Sequence, residues 1–191
     1  MSTRDGERAD GLHEHHRRML EEESAIDPAV IAERGYYTAA KKVDLKRKGF
    51  SRDQQDTLAP RHGEFGLLAP ICWPNREEPP FWVLRPDHPR TSKYGKKVKY
   101  EMPPGSRMAL DSPPRCHPWL ADPSRPLWIT EGQKKGDAGA SCGLCTICQI
   151  GVWNFRGTNE FGGKTALAEW EDVALNGRRV YMVFDSDVMQ K

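Results

Sequence analysis

Leu127-Trp128-Ile129-Thr130-Glu131 and Val180-Tyr181-Met182-Val183-Phe184-Asp185-Ser186-Asp187 are two short apolar runs that each end abruptly in carboxylates. Runs of this length, rich in β-branched and aromatic residues, read as buried strands. Between them, Glu131 to Gly139 reads as a helix interrupted by Gly132 and Gly136, Leu144 to Trp153 as a further strand, and Thr165 to Leu175 as an amphipathic helix. Apolar strands alternating with helices imply a parallel sheet covered on both faces. The working edge of such a sheet is the carboxyl end of its strands, where Glu131 and Asp185 fall. They are 185 − 131 = 54 residues apart, room for two crossovers with a strand between them in the chain. Asp185 and Asp187 point the same way if the backbone stays extended. Three crowded carboxylates repel unless a hard cation neutralises them, and Mg²⁺ binds through one or two carboxylates, waters and phosphates. The plainer alternative is that Asp-Ser-Asp makes a turn or helix cap and Glu-Gly merely closes a strand.

Working outward, Leu12 to Glu23 reads as a charged helix and Ala25 to Arg34 as a second one, with Asp27-Pro28 opening it and Gly35 stopping it. Val43 to Gly49 reads as a third, short helix before a polar segment, Ser51 to Arg61. Phe65 to Trp73 and Phe81 to Arg85 read as the two strands of a hairpin. Pro103 to Pro126 contains seven prolines and reads as a linker or extended surface segment.

The 191 residues bound the answer to one domain, or one domain with a smaller partner. Pro plus Gly is 15 + 17 = 32 residues, about 17%, below low-complexity levels, and 37% hydrophobic residues allow a core. Mean hydropathy is −0.74. The run Leu67 to Trp73 is far short of the roughly 20 apolar residues of a membrane helix, and the first eleven residues show no secretory signal; a cytoplasmic location, with no membrane partner, is the expectation. Five cysteines in such a chain are expected to be free thiols. Net charge is only +2, but Arg85, Arg90, Lys93, Lys96, Lys97 and Lys99 stand against Asp87 alone between residues 85 and 100, a local +5. Such a stripe suits phosphates or is a solvated loop.

Three other motifs compete. Cys142, Cys145 and Cys148 have metal-ligand spacing, with Cys116-His117 as further donors, but on a strand Cys145 and Cys148 face opposite ways, so buried thiols are expected. Gly162-Gly163-Lys164-Thr165 resembles the end of a phosphate-binding loop, yet Thr158 stands where its first glycine belongs. His13-Glu14-His15-His16 lacks the i, i+4 histidine pair of a helical zinc site and is expected to be a solvated helix face. The six tryptophans are expected mostly in the core, with one or two free to stack on bases.

Ile129-Thr130-Glu131-Gly132 followed by Val183-Phe184-Asp185-Ser186-Asp187 resembles the Toprim motif pair of primases, topoisomerases and small nucleases. The upstream segments ending Leu68-Ala69-Pro70-Ile71 and Leu84-Arg85-Pro86, with Lys99-Tyr100 and Pro103-Pro104-Gly105, resemble the region before the Toprim core of replicative primases. Glu131 to Lys135, Gly151-Val152-Trp153-Asn154 with Arg156-Gly157, and Arg179-Val180 are similar to the Toprim-like domain of unknown function 3854 family of plasmid and phage primase-like proteins. The resemblance covers residues 12–187. It implies Glu131 as general acid/base or metal-orienting group, Asp185 and Asp187 as ligands of Mg²⁺ or Mn²⁺, and Lys134 and Lys135 beside a phosphate or nucleic-acid backbone.

The expected fold is therefore α/β: an incomplete Toprim-like (Rossmann-like) parallel sheet preceded by a small α+β region. Residues 1–24 are expected to be an extension, 25–115 the α+β region and 116–191 the partial core. A Toprim core continues through another helix and strand; only four residues follow Asp187, which implies three strands, an exposed edge and a fragment or separately encoded piece. The implied function is primase-like, metal-dependent nucleotidyl or phosphoryl transfer on nucleic acid in a mobile-element protein. Its partners would be single-stranded DNA template and nucleotides, with a helicase or the missing C-terminal half. Set against it are a non-catalytic nucleic-acid-binding module, in which Arg90, Lys93, Lys96, Lys97 and Lys99 hold the backbone, and a P-loop NTPase.

Overall fold

The computed structural model describes residues 11–59, 63–151 and 153–185. Two three-stranded sheets carry the chain. The first is antiparallel, with β1 (Tyr37–Ala39), β2 (Gly66–Pro70) and β3 (Trp82–Pro86) in that order. Its helices are α1 (Glu14–Glu21), α2 (Pro28–Arg34), α3 (Lys42–Arg47) and α4 (Arg52–Thr57). Alternation along β2 divides the burial. Leu67 and Ala69 pack with Leu20, Val30 and Ile31 of α1 and α2, while Leu68 packs with Leu45, Phe50 and Leu58 on the other side. Asp27 caps α2 by accepting from Ala29 N–H at 2.7 Å, and Gly35 ends it at φ 74°, a conformation costly for a residue with a Cβ.

The second sheet is parallel, ordered β5–β4–β8, with β4 (Leu127–Glu131) in the middle, β5 (Cys145–Gln149) on one side and β8 (Val180–Val183) on the other. Helix α6 (Gln133–Ser141) crosses from β4 to β5. Leu127, Ile129, Cys145 and Ile147 share one face with Trp73, Leu110, Leu120 and Val173. On the opposite face α6 lies so close that a Cβ built on Gly136 would stand 1.9 Å from Cys148 Sγ. Gly136 thus serves the helix's tight seat on the sheet, as does Gly139, whose Cβ would stand 2.8 Å from Thr146 Cγ2, while Gly132 precedes the helix at φ 79°.

Five expectations are corrected. Residues 51–61 contain helix α4, because Ser51 Oγ accepts from Gln54 N–H and Gln54 Oε1 from Ser51 N–H, a reciprocal cap. Residues 103–126 are not a surface linker. Asp111 exchanges backbone hydrogen bonds with Cys148 at 2.7 and 3.2 Å, covering the outer edge of β5, and Leu110, Asp111 and Ser112 are buried. A short helix, α5 (His117–Leu120), follows. Residues 165–175 are not an α-helix: β6 (Arg156–Thr158) and β7 (Lys164–Ala166) form a hairpin, followed by a 3₁₀ turn at Ala168–Asp172. Gly162-Gly163-Lys164 is the hairpin's turn, with Lys164 Nζ donating to Thr158 Oγ1 at 2.7 Å. No helix N-terminus follows it to cradle a phosphate, and the P-loop reading falls. Finally, β8 is not covered on both faces: all four of its residues are exposed, Met182 at 69%, although Tyr181 stacks on Trp128 with ring centroids 4.4 Å apart. Among the described residues no helix is long and apolar enough to cross a membrane.

Candidate functional site

Parallel pairing puts the ends of all three strands on one edge. Thr130 is level with Val183, and the Thr130 hydroxyl donates to the Val183 carbonyl at 2.9 Å, fixing the end of β8 against β4. Glu131 closes β4 and Asp185 lies two residues past β8, so these two predicted residues end neighbouring strands. In-register parallel neighbours point to the same face, so Glu131 and its partner Gln149 lie together on the face shared by Ile129 and Ile147. From the other face, Lys135 in the first turn of α6 pairs with Asp185. Both partners are about half exposed, and such a pair contributes little to stability, so a competing cation can replace the ammonium. Asp187 lies outside the described residues.

Gln149 belongs to none of the sequence motifs. It is 2% exposed, and its Oε1 has no hydrogen-bond partner among the described residues. Its place at the carboxyl end of β5 was the available signal. The buried, unpartnered amide oxygen of Gln149 lies beside Glu131 on one face of the sheet, while Asp185 meets Lys135 on the other, so Glu131 and Asp185 share the strand-end edge but not a face.

Beside this edge, a cavity of about 50 Å³ opens between β2–β3 and the start of α6, lined by Leu67, Val83, Arg85, Tyr100, Gln133 and Lys134 among others. It is small against typical ligand pockets of about 300–1,000 Å³, and Arg85 and Lys134 are the cationic side chains of its otherwise mostly apolar lining. Helix α6 begins at Gly132 without a side-chain cap, leaving first-turn N–H groups for an anion. Lys134 donates to Ser24 Oγ at 3.0 Å. Its burial, then repulsion from Arg85, pulls its pKa below the usual lysine value.

The basic segment forms its own small hairpin, with Thr91 opposite Lys97. Arg90 is not free for phosphate: Glu101 accepts from its Nε at 2.5 Å and its Nη2 at 3.2 Å. Lys93, Lys96, Lys97 and Lys99 are exposed around Tyr94, itself 77% exposed. Cys145 and Cys148 are buried on opposite faces of β5, as expected, but Cys142 is exposed, against the expectation of three buried thiols. Cys116 and Arg178 make an unforeseen environment for Cys145. The hydrogen bond from Cys116, against burial and with the Arg178 guanidinium 3.3 Å away, lowers Cys145 to about 7, while Cys116 is driven up.

The fold is similar to that of solved catalytic cores of bacterial primases. The chain superimposes on the Aquifex aeolicus primase (zinc-binding and RNA polymerase domains) with a TM-score of 0.56 and 16% identity, over 91% of this chain and 43% of that one. A DnaG primase catalytic domain bound to single-stranded DNA gives 0.54 and 17%, over 91% and 56%. The RNA polymerase domain of Mycobacterium tuberculosis primase DnaG in complex with double-stranded DNA gives 0.53 and 18%, over 95% and 57%. The chain thus spans about half the length of these structures, and at such identities the likeness is one of fold. Residues 117–191 match the family described as Domain of unknown function (DUF3854). No curated protein matches the chain.

Proposed function

We propose that the chain carries the acidic edge of a primase-like protein and takes part in metal-dependent nucleotidyl or phosphoryl transfer on DNA. The observation that carries this reading is the placement of Glu131, Gln149 and Asp185 at one edge of a parallel sheet, beside a cationic cleft. Asp185, with Asp187 beyond it, would hold Mg²⁺ or Mn²⁺, which supplies charge neutralisation for phosphate oxygens. Glu131 accepts the proton of an attacking hydroxyl or orients the water that relays it. Lys134 and Arg85 bind phosphate at the uncapped start of α6, and Lys135 releases Asp185 as the cation arrives. Single-stranded template and nucleotides are the proposed partners, in the cytoplasm of a cell carrying a plasmid or phage replication protein of this kind.

The test is calorimetric titration of Mn²⁺ and Mg²⁺ into the chain and into Asp185→Asn/Asp187→Asn. Binding that the double variant loses supports the site; equal binding by a folded variant refutes it. In a protein that synthesises primers, Glu131→Gln is expected to abolish synthesis with the fold intact. A second reading, a non-catalytic binding module, rests on the exposed Lys93, Lys96, Lys97 and Lys99 around Tyr94, a combination suited to single strands. Neutralising these four lysines should then weaken DNA binding and flatten its salt dependence, leaving metal binding unchanged.

A further inference from the structure

The His13-Glu14-His15-His16 run is not the solvated helix face expected from its spacing. His16 is fully buried, its Nε2 lies 2.9 Å from Asp87 Oδ1, and His15 Nε2 lies 3.3 Å from Asp87 Oδ2. Asp87 comes from the end of β3, 71 residues along the chain from His16, so no motif could announce the cluster. We propose that His15, His16 and Asp87 bind one divalent transition-metal ion of the Zn²⁺ class.

Four observations support this site. The three ligand atoms all lie within 4.8 Å of one another. Ligands about 2.0 Å from a tetrahedral ion stand roughly 3.3 Å apart, so a pair at the 4.8 Å limit closes by about 1.5 Å to hold one, a movement open to the half-exposed His15 ring. The donors are held in place: His16 Nδ1 lies 2.8 Å from Thr38 Oγ1, which also accepts from His13 N–H, and Asp87 N–H donates to the Phe65 carbonyl. A ligating histidine anchored through its second nitrogen is the usual outer arrangement of such centres. The site is open on one side, since the His15 side chain is 49% exposed, which gives an entry path and room for water as fourth ligand. The donor set is two imidazoles and one carboxylate, which selects zinc, nickel or cobalt over magnesium and calcium. With the ion on both Nε2 atoms, each neutral ring carries its proton on Nδ1, and for His16 the Thr38 Oγ1, 2.8 Å away, accepts it. Binding ties α1 to the end of β3.

The experiment uses the full chain, stripped with chelator and carrying Cys142→Ser to remove the exposed thiol. Zn²⁺ is titrated by calorimetry and Co²⁺ by visible absorption. One equivalent is expected to bind, with cobalt bands free of thiolate charge transfer. His15→Ala, which alters a half-exposed ring and leaves the fold intact by circular dichroism, should weaken binding at least about tenfold, and Asp87→Asn further. No binding by the folded chain, equal affinity in His15→Ala, or a thiolate–cobalt band would each overturn the proposal.

Discussion

Arg34→Met tests the polar centre on which the two halves of the fold meet. Arg34 leaves α2 fully buried. Its Nε and Nη2 donate to Asp137 on α6 at 2.7–3.2 Å, and its Nη1 donates to Asp111 Oδ1 at 2.5 Å. Tyr36 adds a hydroxyl to Asp137 at 2.5 Å, and both carboxylates are fully buried. Methionine fills much of the volume but leaves two buried carboxylates without their cation, and orphaning a buried ion-pair partner costs about 3–5 kcal/mol. For a chain of this size that corresponds to a fall in Tm of about 6–20 °C. The loss has a pH signature. Burial pushes the Asp137 carboxyl above its usual 3.8, and the Arg34 guanidinium pulls it back. Without Arg34 the folded-state pKa rises further. The folded variant then holds its proton more tightly than the unfolded chain, so the penalty is small near pH 4 and grows as pH rises through the folded pKa. Urea unfolding at several pH values reads this out. Adding Asp137→Asn to Arg34→Met should restore part of the lost stability. A loss below about 1 kcal/mol at pH 7, the size of an exposed pair, or strict additivity in the cycle, would refute the reasoning.

Gly136→Ala should cost about 1–3 kcal/mol by urea unfolding, because its Cβ falls 1.9 Å from Cys148 Sγ, and Cys148→Ala should relieve part of that cost; an unchanged midpoint means α6 does not lie this close to β5. Burial raises the Asp87 carboxyl, but hydrogen bonds from His16 and His15 outweigh it and hold the group below its usual 3.8. Its contribution is therefore present above pH 3.8 and lost as pH falls through the folded value: the stability difference between wild type and Asp87→Asn should shrink in acid below that pH, and a difference constant across the titration contradicts the pairing. Of the five thiols, Cys142 is exposed, Cys72 is raised to about 11 by burial, and the others are buried. A disulfide-exchange reagent at pH 7.5 should therefore find one fast thiol, lost in Cys142→Ser, and the rest only on unfolding.

What was legible in the sequence followed from local periodicity. Strands β2, β3, β4, β5 and β8 and helices α1, α2, α3 and α6 all stand where apolar runs and caps placed them, and the strand-end positions of Glu131 and Asp185 were legible because both close such runs. What escaped depended on partners distant in the chain. Strand β1 is three residues long and pairs with β2 in the register Tyr37–Leu68. Leu110 to Ser112 looked like linker because its prolines hid a single backbone bridge to Cys148. The alternation of Thr165 to Leu175 is compatible with a helix until the turn at Asn159, whose side chain accepts from Phe161 and Gly163 N–H, folds it back as a hairpin. His16 looked solvated because its partners, Thr38 and Asp87, lie 22 and 71 residues away.

Charge placement on α6 ties the fold to the candidate site. Asp137 faces Arg34, and Gln133 and Lys134 lie four and three residues earlier, on the same side of the helix. Gln133 donates to the Pro70 carbonyl at 2.7 Å, and Lys134 reaches Ser24 between α1 and α2. The face of α6 that Arg34 locks in place is thus the face that brings its uncapped start and Lys134 to the cleft beside Arg85. Apolar packing alone lets a short helix with small residues slide along a sheet. Here a guanidinium held by two buried carboxylates fixes where the helix begins. Glu131, two residues before that beginning, is set by the same contact, so the position of the acidic edge relative to the cationic cleft depends on Arg34 although Arg34 touches neither.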